Sequence, residues 1–534
     1  MLIHGHEVAS GHTLEADVAI VGAGPAGLTI ARELEAAEYD VIMLEAGGTE
    51  PEPIAETGLI KAPTGTYWLG RSHFRGFGGS SQHWLPGGWR ARPMDPIDFV
   101  ERPGVPDGAW PFTFDELVPH FERAQDVCAL GPYDYDYDSW IAREARPDLI
   151  RLEAPGFRQV VFQLGPPDRF KGMLDEVRRS ARIRLCLRST VARIERTEAG
   201  AVASLTVVGK AKNRFSVRAR DYVLATGGID NPKLLLASGG IGNEHDQVGR
   251  YFQEHIHVDA GIFRSAKAQD LTDRLFYPPH LSTDGTKVQG AIGLEDDIIR
   301  AEGLQNTTVW LYSAYDEART EGWRSLLELR HSLLDRRFPP PHVLGHLQNV
   351  LRDRWVIPSA VRRKLSRSKP PRTHAIVVVE SEQRPNPESR VLLTAERDEH
   401  GVPVPTLQWR IVDEDLHTIR RTQELINERL QAAGHGSIER LFGDEHPPAH
   451  YGGGAHHMGT TRMHTDPRRG VVDPDCRVFG CPNLYVAGSS VFTSSGSANP
   501  TLTILALAVR LAEHVKAVGC RPAAEVVAER RTGT

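Results

Sequence analysis

Residues 16–45 constrain this chain more than any other stretch. Residues 17–21 are a short apolar run rich in β-branched side chains, residues 26–38 place Leu28, Ile30, Ala31 and Leu34 at helical spacing, and residues 41–44 are apolar again. That order predicts a β-α-β unit. Three glycines stand where its first turn must be tight: Gly22 turns the chain, Gly24 lets backbone approach a pyrophosphate, and Gly27 lets helix and strand pack closely. The first amides of the helix then face the phosphates. Glu45 ends the second strand, a place from which a carboxylate accepts hydrogen bonds from ribose hydroxyls, and this favours an unphosphorylated adenosine ribose.

The motif alone leaves FAD and NAD open. Two later segments favour FAD: residues 221–228 (DYVLATGG) and 483–488 (NLYVAG, ending at Gly488) each read as a buried strand running into a glycine turn, as if the chain returned twice to one sheet. A nucleotide fold assembled from distant segments is typical of two-dinucleotide-type flavoproteins, which is a fold analogy.

At 534 residues the chain exceeds the size at which a single core keeps growing, so two or more packed units are expected. A net charge of -6 gives no global pull toward nucleic acid or anionic membrane. Five cysteines without a C-x-x-C pair argue against a disulfide framework and a zinc site, and we expect no metal. Residues 1–15 lack a basic and apolar leader, and no run of about 18 apolar residues occurs, so the expectation is a cytoplasmic protein without a transmembrane segment.

Three further stretches carry a resemblance: residues 75–84 (RGFGGSSQHW), 454–460 (GAHHMGT) and 497–503 (SANPTLT). With the N-terminal cradle, and in this order, they resemble the glucose-methanol-choline (GMC) oxidoreductase family, its pyranose-oxidase-like branch in particular. Residues 226–239 (TGGIDNPKLLLASG) look like the family's second signature, although Asn231 stands where Ser or Thr is usual. The likeness covers roughly a third of the chain and is specific in combination. It implies FAD, hydride passing from a substrate carbon to flavin N5, and a histidine that takes the hydroxyl proton. By position in H-x-M-G-T that histidine is His456, with His457 as the one-residue alternative. Asn499 matches the family's second polar position. An amide is no useful base, so it is assigned to binding the substrate oxygen.

Elementary chemistry asks for the same parts. An alcohol keeps its proton far above neutral pH, so hydride loss needs an acceptor near pH 7, and histidine suits. Asn499 as N-cap, Pro500 as first helical residue and Thr501 opening an apolar helix to residue 515 would point a helix N-terminus at the charge of reduced flavin. Gly78, Gly79 and Ser80 are expected as flavin neighbours. For His83 the reading favours packing or hydrogen bonding over the covalent flavin link that the matching histidine makes in pyranose oxidase.

The expected fold is α/β: a Rossmann-like FAD-binding domain built from discontinuous segments (1–92, 183–251 and 447–520), plus an α+β substrate-binding domain with an antiparallel sheet (93–182 and 252–446), and a tail at 521–534. Strands are read at 377–382, 390–393 and 407–411, and an amphipathic helix at 415–433. Residues 322–372 carry twelve Lys or Arg against three Asp or Glu, with Trp323, Leu326, Leu327, Leu333 and Leu334 at helical spacing, read first as a solvated or oligomer-contact insertion. The function expected is oxidation of an alcohol group of a sugar, glycoside or sugar-like metabolite, with oxygen, a quinone or a redox protein as electron acceptor and a homo-oligomer as one assembly. The alternatives are an FAD-containing lyase and the catalytic subunit of an electron-transfer complex.

Overall fold

In the computed structural model the described residues are 1–53, 72–84, 88–144, 156–265, 272, 274, 279–314, 321–334, 343–354, 356–365, 374–441 and 451–519. The expected tail at 521–534 lies outside them, as do parts of the basic segment.

The N-terminal β-α-β unit forms as its pattern requires. Strand Thr13–Val21 leads into helix Pro25–Glu35 and strand Val41–Leu44, and the two strands pair in parallel from Val18↔Val41 to Val21↔Leu44. The helix stops three residues short of the expected end because Glu38 takes a left-handed conformation, φ 66°. Around this unit grows an eight-stranded sheet in the order Leu2–His4, Ile183–Leu187, Val41–Leu44, Thr13–Val21, Arg214–Leu224, Val202–Gly209, Ser189–Arg196. Strand Leu484–Val486 adds in parallel beside Tyr222–Leu224, so both glycine-terminated segments do return to the first sheet. The sheet is mixed: strands Val41–Leu44 and Leu484–Val486 are buried throughout, as expected of parallel strands covered on both faces, whereas Val202–Gly209 pairs antiparallel with both its neighbours and exposes part of one face.

The second sheet has nine strands, and every pair in it is antiparallel. Its order is Ser437–Arg440, Ile256–Arg264, His374–Ser381, Thr307–Ala314, Lys287–Leu294, Phe157–Gly165, Trp89–Ala91, with His280–Leu281 and Tyr451–Gly453 paired at the side. Strand Arg390–Arg397 does not join it. It pairs instead with Pro403–Gln408 in a separate hairpin, because the Pro385 and Pro387 turn redirects the chain after Ser381. Helix Asp413–Ala432 packs Ile419, Leu425, Ile426 and Leu430 under the large sheet. The basic segment is helical at Glu321–Leu334, Val343–Arg352 and Val356–Leu365, with its own small core of Trp323, Leu329, Val350 and Val356. Among the described residues, no helix is long and apolar enough to cross a membrane.

Candidate active site

A cavity of about 730 Å³ runs from the first β-α turn to the loop before the last helix. At one end Gly22, with φ 102°, turns the chain beneath Ala225, whose carbonyl oxygen would lie 2.6 Å from any Cβ there. Gly27 brings the helix onto the strand so closely that a Cβ would meet the Gly22 oxygen at 2.2 Å. Gly24, Gly227 and Gly488 behave differently: a Cβ at Gly24 would find nothing nearer than 3.9 Å, and one at Gly227 or Gly488 nothing within 4 Å. All three line the cavity, so bare backbone faces open space there, as a pyrophosphate cradle requires.

Glu45 is buried, and its carboxylate accepts from the amides of Ala23 (3.0 Å), Gly47 (2.9 Å) and Gly76 (3.0 Å). Burial raises its proton affinity, opposed by those amides. The three amides tie the β-α turn to the 76–83 loop and leave about one of four lone-pair positions for a ribose hydroxyl. Gly79, Ser80 and His83 line the cavity, whereas Gly78 stands behind it, its N–H donating to Ala23 O at 2.8 Å. The His83 ring stacks on Phe74, with centroids 4.9 Å apart, and burial lowers its proton affinity.

At the other end lie His456, Asn499, Pro500 and Thr501. His456 Nε2 is 3.3 Å from Asn499 Nδ2, so two segments more than forty positions apart converge on one wall. His457 lines the same cavity but points to Ser72, its Nε2 at 3.2 Å from the hydroxyl, and its backbone oxygen accepts from Ser489. The helix cap is shifted by one residue from expectation. Ile504 N–H donates to Pro500 O at 2.8 Å and the helix runs Thr501–Gly519, so Pro500 caps it and the Asn499 side chain caps nothing. Freed from that task, the Asn499 amide faces His456, and its buried Oδ1 has no partner.

Behind His456 is a cluster that the sequence reading missed. His456 Nδ1 contacts His255 Nδ1 at 2.9 Å, and the Glu254 carboxylate accepts the His456 backbone amide at 2.9 and 3.0 Å. Glu380 Oε1 lies 3.3 Å from His255 Nδ1 and 3.2 Å from His257 Nε2. Burial, and the repulsion that a protonated His255 would add, hold His456 well below the ordinary histidine value, so its ring is neutral at pH 7. Burial also depresses His255, but the charge of Glu380, with the hydrogen bond that a protonated Nδ1 would give it, and Glu254 behind, outweigh burial and leave the proton affinity raised. Glu380, although buried, is held well below the carboxylate range by its two histidines. The donors of His255, Glu380 and His456 converge within 4.8 Å. Two nitrogens on one tetrahedral ion would stand about 3.3 Å apart, so the 2.9 Å contact fits a shared proton instead. The signal for this cluster was spacing: His255, just before strand Ile256–Arg264, and His257 within it stand two positions apart, beside an acid.

The loop carrying Asn499 is fixed from below. Gly496 N–H donates to Glu382, Trp110 Nε1 to Ser494, and Ser494 to the Asp98 carbonyl. Asn231, where the family pattern has Ser or Thr, accepts from Thr226 and donates to Ala487 O and Ser490 Oγ, joining the two glycine turns with one amide.

Residues 17–285, half of the chain, match the family model of FAD dependent oxidoreductases, and residues 385–508 match that of GMC oxidoreductases. Paromamine 6'-oxidase of Streptomyces fradiae is 24% identical over 93% of this chain and 91% of its own length. C-glycoside 3-oxidase of Microbacterium trichothecenolyticum is 25% identical over 94% and 96%. Among solved structures, pyridoxine 4-oxidase from Mesorbium loti superposes with a TM-score of 0.56 at 19% identity, covering 94% of this chain and 99% of that one, a likeness of fold. The chain belongs to the FAD-dependent GMC oxidoreductases, enzymes that oxidise CH–OH donors.

Proposed function

We propose that the chain oxidises a ring or side-chain hydroxyl of a sugar, glycoside or sugar-like metabolite to a carbonyl, with His456 as proton acceptor and Asn499 holding the substrate oxygen. The observation that carries this reading is the 3.3 Å approach of His456 Nε2 to Asn499 Nδ2 on the wall of the cavity that continues to the glycine cradle. The Gly22–Gly27 turn, Glu45 and Gly488 would hold FAD, with Gly79, Ser80 and Thr501 beside it. Bound there, FAD supplies the hydride acceptor.

This chain's residues do the rest. Nδ2 of Asn499 donates to the substrate oxygen and fixes the hydroxyl against His456 Nε2. A neutral imidazole accepts the proton as the C–H bond weakens, which spares the reaction a free alkoxide. The amides that open helix Thr501–Gly519 stabilise negative charge forming at this end of the cavity. The activities named for the paromamine and C-glycoside relatives support a sugar-like substrate.

The test is anaerobic incubation of the purified yellow protein with a panel of glycosides and polyols. Bleaching of the flavin band is expected with one or more of them. A flavin that stays oxidised with every alcohol, or stays oxidised while a substrate is consumed, sinks the proposal, and the second result would select a lyase.

A further inference from the structure

We propose that His255 is a positioning residue for the oxidation, receiving through His456 the proton that leaves the substrate hydroxyl. The inference rests on the reading of His456 as proton acceptor and deepens it.

The hydrogen-bond chain fixes the direction of transfer. His255 Nε2 lies 3.2 Å from the Ser495 carbonyl, which only accepts, so Nε2 carries a hydrogen. In neutral His255 the Nδ1 atom is then an acceptor, and His456 Nδ1–H donates to it across 2.9 Å. That places the His456 lone pair on Nε2, toward Asn499 Nδ2 and the cavity, the tautomer a base needs. When substrate reacts, its O–H bond breaks and an Nε2–H bond forms on His456. The Nδ1–H bond of His456 breaks and an Nδ1–H bond forms on His255. The hydride leaves carbon with its electron pair for the flavin that the family's chemistry supplies. The positive charge ends 3.3 Å from Glu380 Oε1.

Electrostatics favours that end point. The groups facing His255 are Glu254 beside it in the chain, Glu380 from strand His374–Ser381, and His456, while His257 from strand Ile256–Arg264 shares the Glu380 oxygen with it. The two carboxylates raise its proton affinity while burial lowers that of His456. The same arrangement has a cost at low pH. If His255 is protonated before substrate arrives, its Nδ1–H occupies His456 Nδ1, and the His456 hydrogen moves to Nε2, where a lone pair is required. The acid limb of the pH profile therefore belongs to His255.

The experiment uses His255→Asn, whose amide oxygen still accepts from His456 Nδ1–H but takes no proton. In the flavin-loaded enzyme we expect reduction by substrate to slow about tenfold, with KM within about twofold. The acid limb of kcat/KM should move to lower pH, and the dependence of rate on deuterium fraction should turn from curved to linear as two moving protons become one. Glu380→Gln should move the acid limb the same way, and carries the test if His255→Asn loses its flavin. Independently of turnover, histidine nitrogen-15 spectra of the oxidised protein should show His456 bare at Nε2 once His255 is neutral. An unmoved acid limb with an unchanged isotope response, or a His456 ring hydrogenated at Nε2 when His255 is neutral, overturns the relay. Full-speed reduction in His456→Ala would instead bring down the assignment of the base itself.

Discussion

His456 is kept weakly basic by burial while one face of its ring is left to the cavity, and that combination is what a proton acceptor needs in the resting enzyme. His456→Ala should keep the visible flavin spectrum and slow anaerobic flavin reduction by roughly 100-fold or more, the usual worth of general base catalysis, as read by stopped flow. His457→Ala, whose ring faces Ser72, should slow it far less; the reverse ranking would move the base by one residue. A buried carboxyl illustrates the same physics without catalysis. Asp415, at the start of helix Asp413–Ala432, accepts the amides of Val412 and Arg384, yet burial pushes it up to about 7. Its folded value lies above the unfolded one of about 3.9, so its contribution to stability is complete below about pH 4 and is lost as pH rises through about 7. Asp415→Asn should remove that component, and thermal melts across this window should show the wild type falling relative to the variant.

The turn between strand Thr13–Val21 and helix Pro25–Glu35 invites a prediction that separates fold from cofactor. Gly24 has ordinary extended backbone, φ -81° and ψ -177°, and space beyond its Cα, so Gly24→Val should keep its far-ultraviolet circular dichroism while the protein purifies colourless. In the 76–83 loop, acid precipitation should release the flavin into the supernatant; yellow precipitate would mean a covalent bond, and His83→Ala would then identify it. These elements were legible because each is encoded locally. The glycine spacing, the two glycine-terminated strands and the H-x-M-G-T stretch each contain their own constraint. The His255–Glu380 pair was not legible, because it joins the residue before one strand to a second strand, and their register is set only when the nine-stranded sheet forms, from Ile256↔Ser381 to Arg264↔His374. The cap at Pro500 was misplaced for a related reason: Asn499 is the better N-cap by propensity, and the neighbouring imidazole claims its amide.

At the scale of the whole molecule, a buried polar network at the end of the second sheet reaches the loop before Asn499. Arg102, fully buried, is shared by Asp98 at 3.2 Å and Glu382, while Asn306 donates to Asp95 and Asp98. Burial and two neighbouring carboxylates push Asp98 up to about 7 in spite of Arg102. Arg102→Ala would strand these carboxylates and should cost about 3–5 kcal/mol in urea denaturation, whereas Arg92, closer to the solvent edge, should cost less. Glu382 also holds the Gly496 amide, so the same variant should loosen the loop before Asn499 and raise KM. Strand Leu484–Val486 joins the first sheet in parallel beside residues 222–224 and is followed by the helix whose first turn borders the cavity. A ribosome therefore delivers the two ends of the flavin's berth hundreds of codons apart. Nascent chains halted before that strand should emerge without colour however much flavin surrounds them, and tinting should begin only once the final helix is clear of the exit tunnel.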